Sequence, residues 1–332
     1  MSNPGAALNL KDLTAGIAGL DSAIVSAHIA PDPDAIGSST ALALGLARLG
    51  KRTSVYLADG VIEKMRPLIR SVAVSNKIPD ERASAVLVVD TAAKKRVGDF
   101  YADLFTRGER VFNIDHHVSN DGWGDINYID GQAAAAAVIV FEILKELNVK
   151  FDSELANLLY AGLIDDTGQF RYSNTDRRAL ETAAALVELG AQPYVVANAL
   201  YYSVPARVQK LRALALSGIK LELGGRAAIV VVTKEILAEA GAKDEDTEGL
   251  IDEARALEGT ECAVLIRELQ LGGWKISLRS KRLDFDVNQI AGKFGGGGHV
   301  AAAGCKITGT VEEVRTVLLR EIAAGLNSLP KQ

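Results

Sequence analysis

The chain is expected to be an α/β protein of two domains: an N-terminal, Rossmann-like domain on a parallel sheet and a smaller C-terminal α/β domain on a mixed sheet. Three observations lead there. At 332 residues the chain exceeds the roughly 50–250 residues of a usual single domain. Its first half alternates short β-branched, apolar runs with helical patterns, as a parallel sheet with crossover helices requires. After Ala191 closely spaced pairs of strand-like runs replace that alternation, which suits hairpins. The expected boundaries are 1–191 for the first domain, 192–216 for a helical linker and 217–332 for the second domain.

Along the first half, Ala23–Ala27, Thr53–Leu57, Ala85–Val89 and Val111–Ile114 read as buried strands. Helices fit Ser38–Leu49, Ala133–Leu147 and Ser153–Leu163, where apolar residues recur at helical spacing. The alanines from Ala133 onward are good helix formers. In the second half a helix at Ala206–Leu216 leads to strands Ile219–Leu223 and Ala227–Val232, with Gly224-Gly225 between them. Strands Cys262–Arg267 and Trp274–Arg279 are joined through Leu271-Gly272-Gly273, and helices fit Glu248–Leu257 and Val311–Leu326.

Composition narrows the function. A formal charge of −5 leaves any nucleic-acid partner to a local basic patch and makes long duplex DNA a poor ligand. Cys262 and Cys305 are far apart in a Cys-poor chain, which suits core thiols in a reducing compartment and not a disulfide framework. No basic-then-apolar leader and no apolar run of about 20 residues is visible. The expectation is a cytoplasmic enzyme without a membrane partner.

Polar residues able to ligate metal follow the apolar strands in four segments, where open parallel sheets form their ligand crevice. The first is Ala27-His28-Ile29-Ala30-Pro31-Asp32-Pro33-Asp34. Its carboxylates have two readings: metal ligands, or an N-cap by Asp34 to a helix starting at Ala35, with Asp32 a solvated turn residue. The second is Asp90, followed by Arg96 and Gly98; an Asp ending a strand can equally be a turn former. The third is Asn113-Ile114-Asp115-His116-His117. Adjacent histidines point different ways, so one can ligate a metal while the other faces a phosphate and Asp115 orients an imidazole. The fourth, Gly162 to Phe170, puts Asp165 and Asp166 at a helix end, where negative charge opposes the macrodipole unless a cation offsets it.

Three of the four histidines in the chain fall in these segments. Two or three imidazoles with four carboxylates are too acidic a set for structural zinc and suit a pair of divalent ions, Mn²⁺ or Mg²⁺. The fourth histidine ends Phe294-Gly295-Gly296-Gly297-Gly298-His299. Successive glycine N–H groups can face an anion, with His299 as a further donor. Lys275, Arg279, Lys281 and Arg282 supply nearby positive charge.

In these landmarks the chain resembles the DHH phosphoesterases that carry a DHH-associated C-terminal domain, in the subgroup of small-oligonucleotide nucleases and phosphoadenosine phosphate phosphatases. The resemblance spans nearly the whole chain. It rests on His28-x3-Asp32-x-Asp34, Asp90 with Arg96-Val97-Gly98, Asn113 to His117, Asp166-Thr167-Gly168-x-Phe170, and Gly295 to His299 followed by Ala301-Ala302-Ala303-Gly304. It implies that His28 and Asp32 hold one metal, that Asp34, His116 and Asp166 hold another, and that Asp90 bridges them, with Mn²⁺ the usual ion and Mg²⁺ the alternative. His117 and Asp115 would serve the scissile phosphate and the outer shell. Arg279, Gly297, Gly298, His299 and Arg96 would bind substrate, and the active site would lie in the interdomain cleft. Pro33 where relatives have Gly, the extra Asp165, and alanines at Ala133–Ala137 where relatives carry Ser or Thr are departures.

The activity so implied is hydrolysis of very short RNA, including linear dinucleotides such as pGpG or pApA, to mononucleotides. Removal of phosphate from 3′-phosphoadenosine 5′-phosphate and cleavage of cyclic dinucleotides are the enzyme alternatives, and the resemblance leaves room for a homodimer. Inorganic pyrophosphatases share the first-domain motifs but lack the glycine–histidine loop. A non-catalytic nucleotide sensor would have lost a ligand, and none is missing. Long single-strand exonucleases of the superfamily carry extra domains for which this chain has no length.

Overall fold

The structure, a computed structural model, describes residues 8–100 and 108–330. The chain divides into two compact units, Met1–Ser203 and Val204–Gln332.

The first unit runs α1 (Leu10–Ala18), β1 (Ser22–Ser26), α2 (Pro33–Arg48), β2 (Arg52–Tyr56), β3 (Val74–Ser75), β4 (Ala85–Val89), β5 (Arg110–Asp115), β6 (Ile126–Ile129), α3 (Ala136–Glu146), α4 (Ser153–Asp166), α5 (Arg177–Glu188) and α6 (Pro193–Tyr201). Its sheet has the order β3-β2-β1-β4-β5-β6, with every neighbouring pair parallel. Both faces are covered, which is why its strands are apolar throughout. Ala23, Val25, Leu87, Val89 and Ile114 pack with α2, α3 and α4 on one face. Ile24, Val86, Val88 and Val111 pack with Tyr56, Val97 and Phe100 on the other. The strand order reverses between β1 and β4, and in such sheets ligands bind beyond the carboxyl ends of the strands at that switch.

The second unit runs α7 (Ala206–Ser217), β7 (Lys220–Glu222), β8 (Ala227–Val232), α8 (Lys234–Ala240), α9 (Leu250–Arg255), β9 (Cys262–Glu268), β10 (Trp274–Ser280), α10 (Val287–Lys293), β11 (Gly297–Gly298), β12 (Ala302–Ile307) and α11 (Val311–Asn327). Its sheet, β11-β12-β10-β9-β8-β7, is mixed: β8 and β9 are parallel and the other pairs antiparallel. Cys262 and Cys305 are buried free thiols of its core. Among the described residues no helix is long and apolar enough to cross a membrane.

The four strands anticipated in the first unit lie within a residue of their observed bounds. Its two edge strands were not anticipated: β3 has only two residues, and β6 is half-buried throughout, so neither carries the apolar run of an inner strand. The helix expected from Ser38 begins at Pro33, because Asp32 caps it and Pro33 occupies its first turn, where a missing N–H costs nothing. The helix expected from Ala133 begins at Ala136. Residues 192–216, expected as a helical linker, contain α6 in the first unit and most of α7 in the second.

Candidate active site

Four strand or helix ends of the first unit bring the charged residues together. After β1, the Asp32 carboxylate accepts the N–H groups of Asp34 and Ala35 at 3.0 and 2.9 Å. The cap of α2 is therefore Asp32; the alternative in which Asp34 caps a helix from Ala35 is off by two residues, since Asp34 already lies inside α2. Asp34 is fully buried and reaches a different helix. Its two oxygens accept the N–H groups of Ala136 and Ala137 at 2.6 and 3.0 Å. That supplies the N-terminal cap that α3 lacks, since Ala135 at its N-cap position has no acceptor side chain. Gly162 of α4 makes this possible: a Cβ there would stand 2.4 Å from Asp34 Oδ1.

Asp90 follows β4 with a left-handed backbone, φ 50°, and is held by its N–H to the Ile114 carbonyl at 3.0 Å. Such a conformation costs a non-glycine residue about 1–2 kcal/mol and persists where surroundings over-determine it. Its two oxygens face two imidazoles: Oδ2 lies 3.4 Å from His28 Nε2 and Oδ1 lies 3.2 Å from His116 Nε2. His28 Nε2 is also 3.6 Å from Asp32, and His116 Nε2 is 3.3 Å from Asp166. Both rings turn Nδ1 to a carbonyl, His28 to Ile29 O at 2.8 Å and His116 to Ala133 O at 3.3 Å. A carbonyl can only accept, so Nδ1 carries the proton and Nε2 is the nitrogen presented to the carboxylates.

Arg96 stands beside this group. Its carbonyl accepts the Ile29 N–H at 2.7 Å and its guanidinium lies 3.2 Å from His28 Nδ1. His117 turns Nδ1 to Asp115 Oδ1 at 2.8 Å, and the same nitrogen lies 3.6 Å from Asp90 Oδ1. Asp115, fully buried, also accepts the His116 N–H at 2.8 Å and Asn120 Nδ2 at 2.6 Å. Three of its roughly four acceptor sites are thus occupied by protein donors, two at Oδ1 and one at Oδ2. At the end of α4 the two aspartates part: Asp166 joins His116, while Asp165 accepts from Tyr201 Oη at 3.4 Å.

Among the described residues, ligating atoms of His28, Asp32 and Asp90 lie within 4.8 Å of one another, as do those of Asp34, His116 and Asp166, and those of Asp90, Asp115, His116 and His117. An ion bound at about 2.1 Å needs its ligand atoms roughly 3.0–3.5 Å apart, and the His–Asp separations of 3.2–3.6 Å are of that size. Electrostatics point the same way. Burial pulls His28 and His116 down, but the Asp32 and Asp90 contacts at His28 and the Asp90 contact at His116 outweigh it and push both up to about 10. Burial and the Asp90 charge raise Asp34 well above the carboxylate range; burial, Asp34 and Asp90 do the same to Asp166. Asp90, despite its burial, is held well below that range by His116 and His28. Groups that retain protons this strongly mark a cluster short of positive charge. Imidazole nitrogens and carboxylate oxygens without a thiolate fit a divalent cation.

In the second unit the glycine run is built differently from the expectation. The N–H groups of Gly295 and Gly296 go to Gly292 O and Ala291 O at 3.1 and 2.9 Å, and that of His299 to Ala302 O at 2.7 Å. They are not available to an anion. Gly297 and Gly298 form β11 against Gly304 and Ala303. A Cβ on Gly296 would stand 2.1 Å from Gly304 O, and one on Gly298 2.4 Å from Ala302 O, so these glycines admit an edge strand pressed against β12. Arg279 pairs with Ala302 on β10–β12, and Ala302 exchanges backbone hydrogen bonds with His299. Arg279 and His299 thereby share one cross-strand row.

Sequence reasoning missed the supporting residues. Ala30, with φ 51°, gives its N–H to Asp59 at 2.6 Å, fixing the loop between His28 and Asp32. Asn174 donates to both Ala134 O and Asp166 O at 3.1 Å, tying the backbone near the His116 acceptor to that of Asp166. Asn120 has been described. Asp59 ends no apolar motif with a second ligand-type residue beside it, and asparagines in loops usually read as turn formers.

Residues 22–163 match the DHH family, N-terminal domain, and residues 224–326 match the DHHA1 domain. The chain is 33% identical over 286 residues to the bifunctional oligoribonuclease and PAP phosphatase NrnA of Thermus thermophilus, covering 86% of this chain and 84% of that protein. It is 28% identical over 294 residues to the probable bifunctional oligoribonuclease and PAP phosphatase NrnA of Streptococcus mutans, covering 89% and 92%. Among solved structures, an exopolyphosphatase-related protein from Bacteroides fragilis shares the fold, with a TM-score of 0.88 at 23% identity over 95% of each chain. With its His- and Asp-bearing motifs at the ends of β1, β4, β5 and α4 and a DHHA1 domain following in the sequence, the chain belongs to the DHH family.

Proposed function

We propose that the protein is a metal-dependent phosphodiesterase that hydrolyses very short RNA, linear dinucleotides included, to mononucleotides. The observation that carries this reading is the convergence of His28, Asp32, Asp34, Asp90, His116 and Asp166 at the switch point of the parallel sheet. The names of the Thermus and Streptococcus relatives, oligoribonuclease and PAP phosphatase, supply the substrate class. The second half of those names favours dephosphorylation of phosphoadenosine phosphate as a further activity of the same site.

In this reading His28 and Asp32 would hold one ion, Asp34, His116 and Asp166 would hold the other, and Asp90 would serve both. Mn²⁺ is the proposed ion, since the donors mix borderline nitrogen with hard oxygen. Two divalent ions supply Lewis acidity, neutralising phosphoryl charge and raising the acidity of water. The chain's own residues do the rest. Asp115 fixes the His117 ring through Nδ1, leaving Nε2 to face the scissile phosphate and to move a proton there. Arg279 and His299, in one row of the second sheet, hold the substrate phosphate by charge-assisted hydrogen bonds, with the Gly297–Gly298 edge beside them. Arg96 fixes the loop after His28 by accepting the Ile29 N–H on its carbonyl and lends its charge to substrate binding from the first unit. A cytoplasmic setting and a homodimer complete the proposal.

The test is product release by purified protein with Mn²⁺. A 5′-phosphorylated diribonucleotide, a longer RNA, phosphoadenosine phosphate, cyclic dinucleotides and pyrophosphate are compared under one set of conditions. Fast cleavage of the diribonucleotide is expected. Inertness toward it with strong turnover of another substrate would replace the substrate class, and inertness toward all would sink the enzyme reading.

A further inference from the structure

Behind the His117–Asp115 pair lies a knot of neutral amides that no part of the mechanism above uses. Asn120 Nδ2 approaches three acceptors: Asp115 Oδ2 at 2.6 Å, Asn113 Oδ1 at 2.8 Å and Thr91 O at 3.2 Å. An amide nitrogen has two hydrogens, and the shorter contacts claim them. One therefore goes to the carboxylate that holds His117 and the other to Asn113. Asn113, fully buried, passes the link on through its own Nδ2 to Thr91 O at 3.1 Å, and Trp123 Nε1 reaches the same carbonyl at 3.0 Å. Thr91 follows Asp90, the residue in the left-handed conformation between the two imidazoles. A single side chain thus joins the backbone that sets Asp90 to the carboxylate that sets His117.

We infer that Asn120 is a positioning residue: it clamps Asp115 so that the His117 ring keeps one orientation and one tautomer, Nδ1–H toward Asp115, with that same nitrogen 3.6 Å from Asp90 Oδ1. The three donors on Asp115, from His116 N–H and His117 at Oδ1 and from Asn120 at Oδ2, are directional, and without the Asn120 donor the carboxylate is held at Oδ1 alone and its last torsion is less restrained. His117 then follows it. The inference rests on the hydrolase reading for its consequence and on geometry alone for its cause.

Asn120→Ser is the variant of choice. Asn120 Oδ1 also accepts the Gly122 N–H at 2.9 Å, a turn that a serine hydroxyl reproduces, while its shorter side chain cannot reach Asp115. The full-length wild type and N120S are compared in three ways: Mn²⁺-dependent turnover of a diribonucleotide, Mn²⁺ stoichiometry, and the His117 ring resonances of histidine-¹⁵N-labelled, Mg²⁺-loaded protein. Expected is a kcat lower by about 10–100-fold, with KM and metal stoichiometry within about twofold, and a downfield, protected Nδ1 proton of His117 in the wild type that is lost in N120S. Wild-type kcat in N120S, or kcat and metal content falling together, would overturn the inference. So would a wild type that shows no protected Nδ1 proton, whatever the variant does, including a variant that does not fold. The ring resonances are read without substrate, so an inactive wild type that keeps the proton would count against the hydrolase reading and leave the clamp standing.

Discussion

The strand-end cluster of the first unit and the glycine–histidine hairpin of the second both combine glycine with histidine, yet they use them for opposite purposes. In the first, Gly162 clears space for a charged oxygen: a Cβ would meet Asp34 Oδ1. In the second, Gly296 and Gly298 clear space for backbone, and a Cβ on either would meet a main-chain carbonyl of β12. The first glycine serves ligand geometry and the others serve the sheet. Likewise His28 and His116 meet carboxylates at 3.2–3.6 Å, whereas His299 is fixed through its backbone at a hairpin turn. Chemistry is preorganised by side chains in one region and by main chain in the other, and substitutions should separate the two.

The largest effect is expected at Asp90. Asp90→Ala removes the carboxylate that, among the described residues, faces both His28 and His116, and turnover should fall roughly a thousandfold or more, beyond the 10–100-fold typical of outer-shell changes. Circular dichroism should show the fold retained. Full activity in this variant would break the bridging role. His299→Ala comes next: turnover of nucleotide substrates should drop roughly a hundredfold, a usual cost for losing one donor to developing charge. Metal content measured by elemental analysis should not change, and lost metal would erase the distinction between the regions.

Gly296→Ala should act on stability, by about 1–3 kcal/mol of overpacking, read as a lowered denaturant midpoint with Mn²⁺ stoichiometry unaffected. The mildest effect is one of pH. His28 and His116, raised from 6.5 to about 10, contribute stability to the metal-free protein that is fully present below pH 6.5 and lost as pH rises toward 10. Asp34 and Asp166, raised as well, add the same sign, and Asp90, lowered, is constant over that range. In chelator, thermal midpoints should therefore fall between pH 7 and 9. Saturating Mn²⁺ should flatten the trend, because metal replaces those protons.

Much of this was legible in the sequence because the ligands are charged and end apolar runs. His28, Asp90 and His116 could be placed at strand ends from β-branched runs alone, and the doubling of Asp165 and Asp166 signalled a helix end where charge needed a cation. What could not be read was which carboxylate caps which helix. Asp34 caps α3, more than 100 residues away in sequence, and no local pattern encodes that. Part of the glycine run was hard to read for a related reason: the Gly295 and Gly296 N–H groups go to backbone carbonyls, and glycines that admit a neighbouring strand look the same in sequence as glycines that admit an anion. Supporting groups such as Asn120, Asn174 and Asp59 stayed hidden because their partners, backbone atoms for Asn174 and Asp59 and largely side chains for Asn120, are brought close only by the fold.

The central claim is that the residues at the ends of β1, β4, β5 and α4 form one two-ion site. Calorimetric titration of the metal-free full-length protein with Mn²⁺, in wild type and Asp90→Ala, tests it most directly. The account predicts two ions per chain in the wild type, with proton release that differs between buffers, and loss of the paired binding in the variant. A single ion per chain, or the same two-ion isotherm with and without the Asp90 carboxylate, would contradict it.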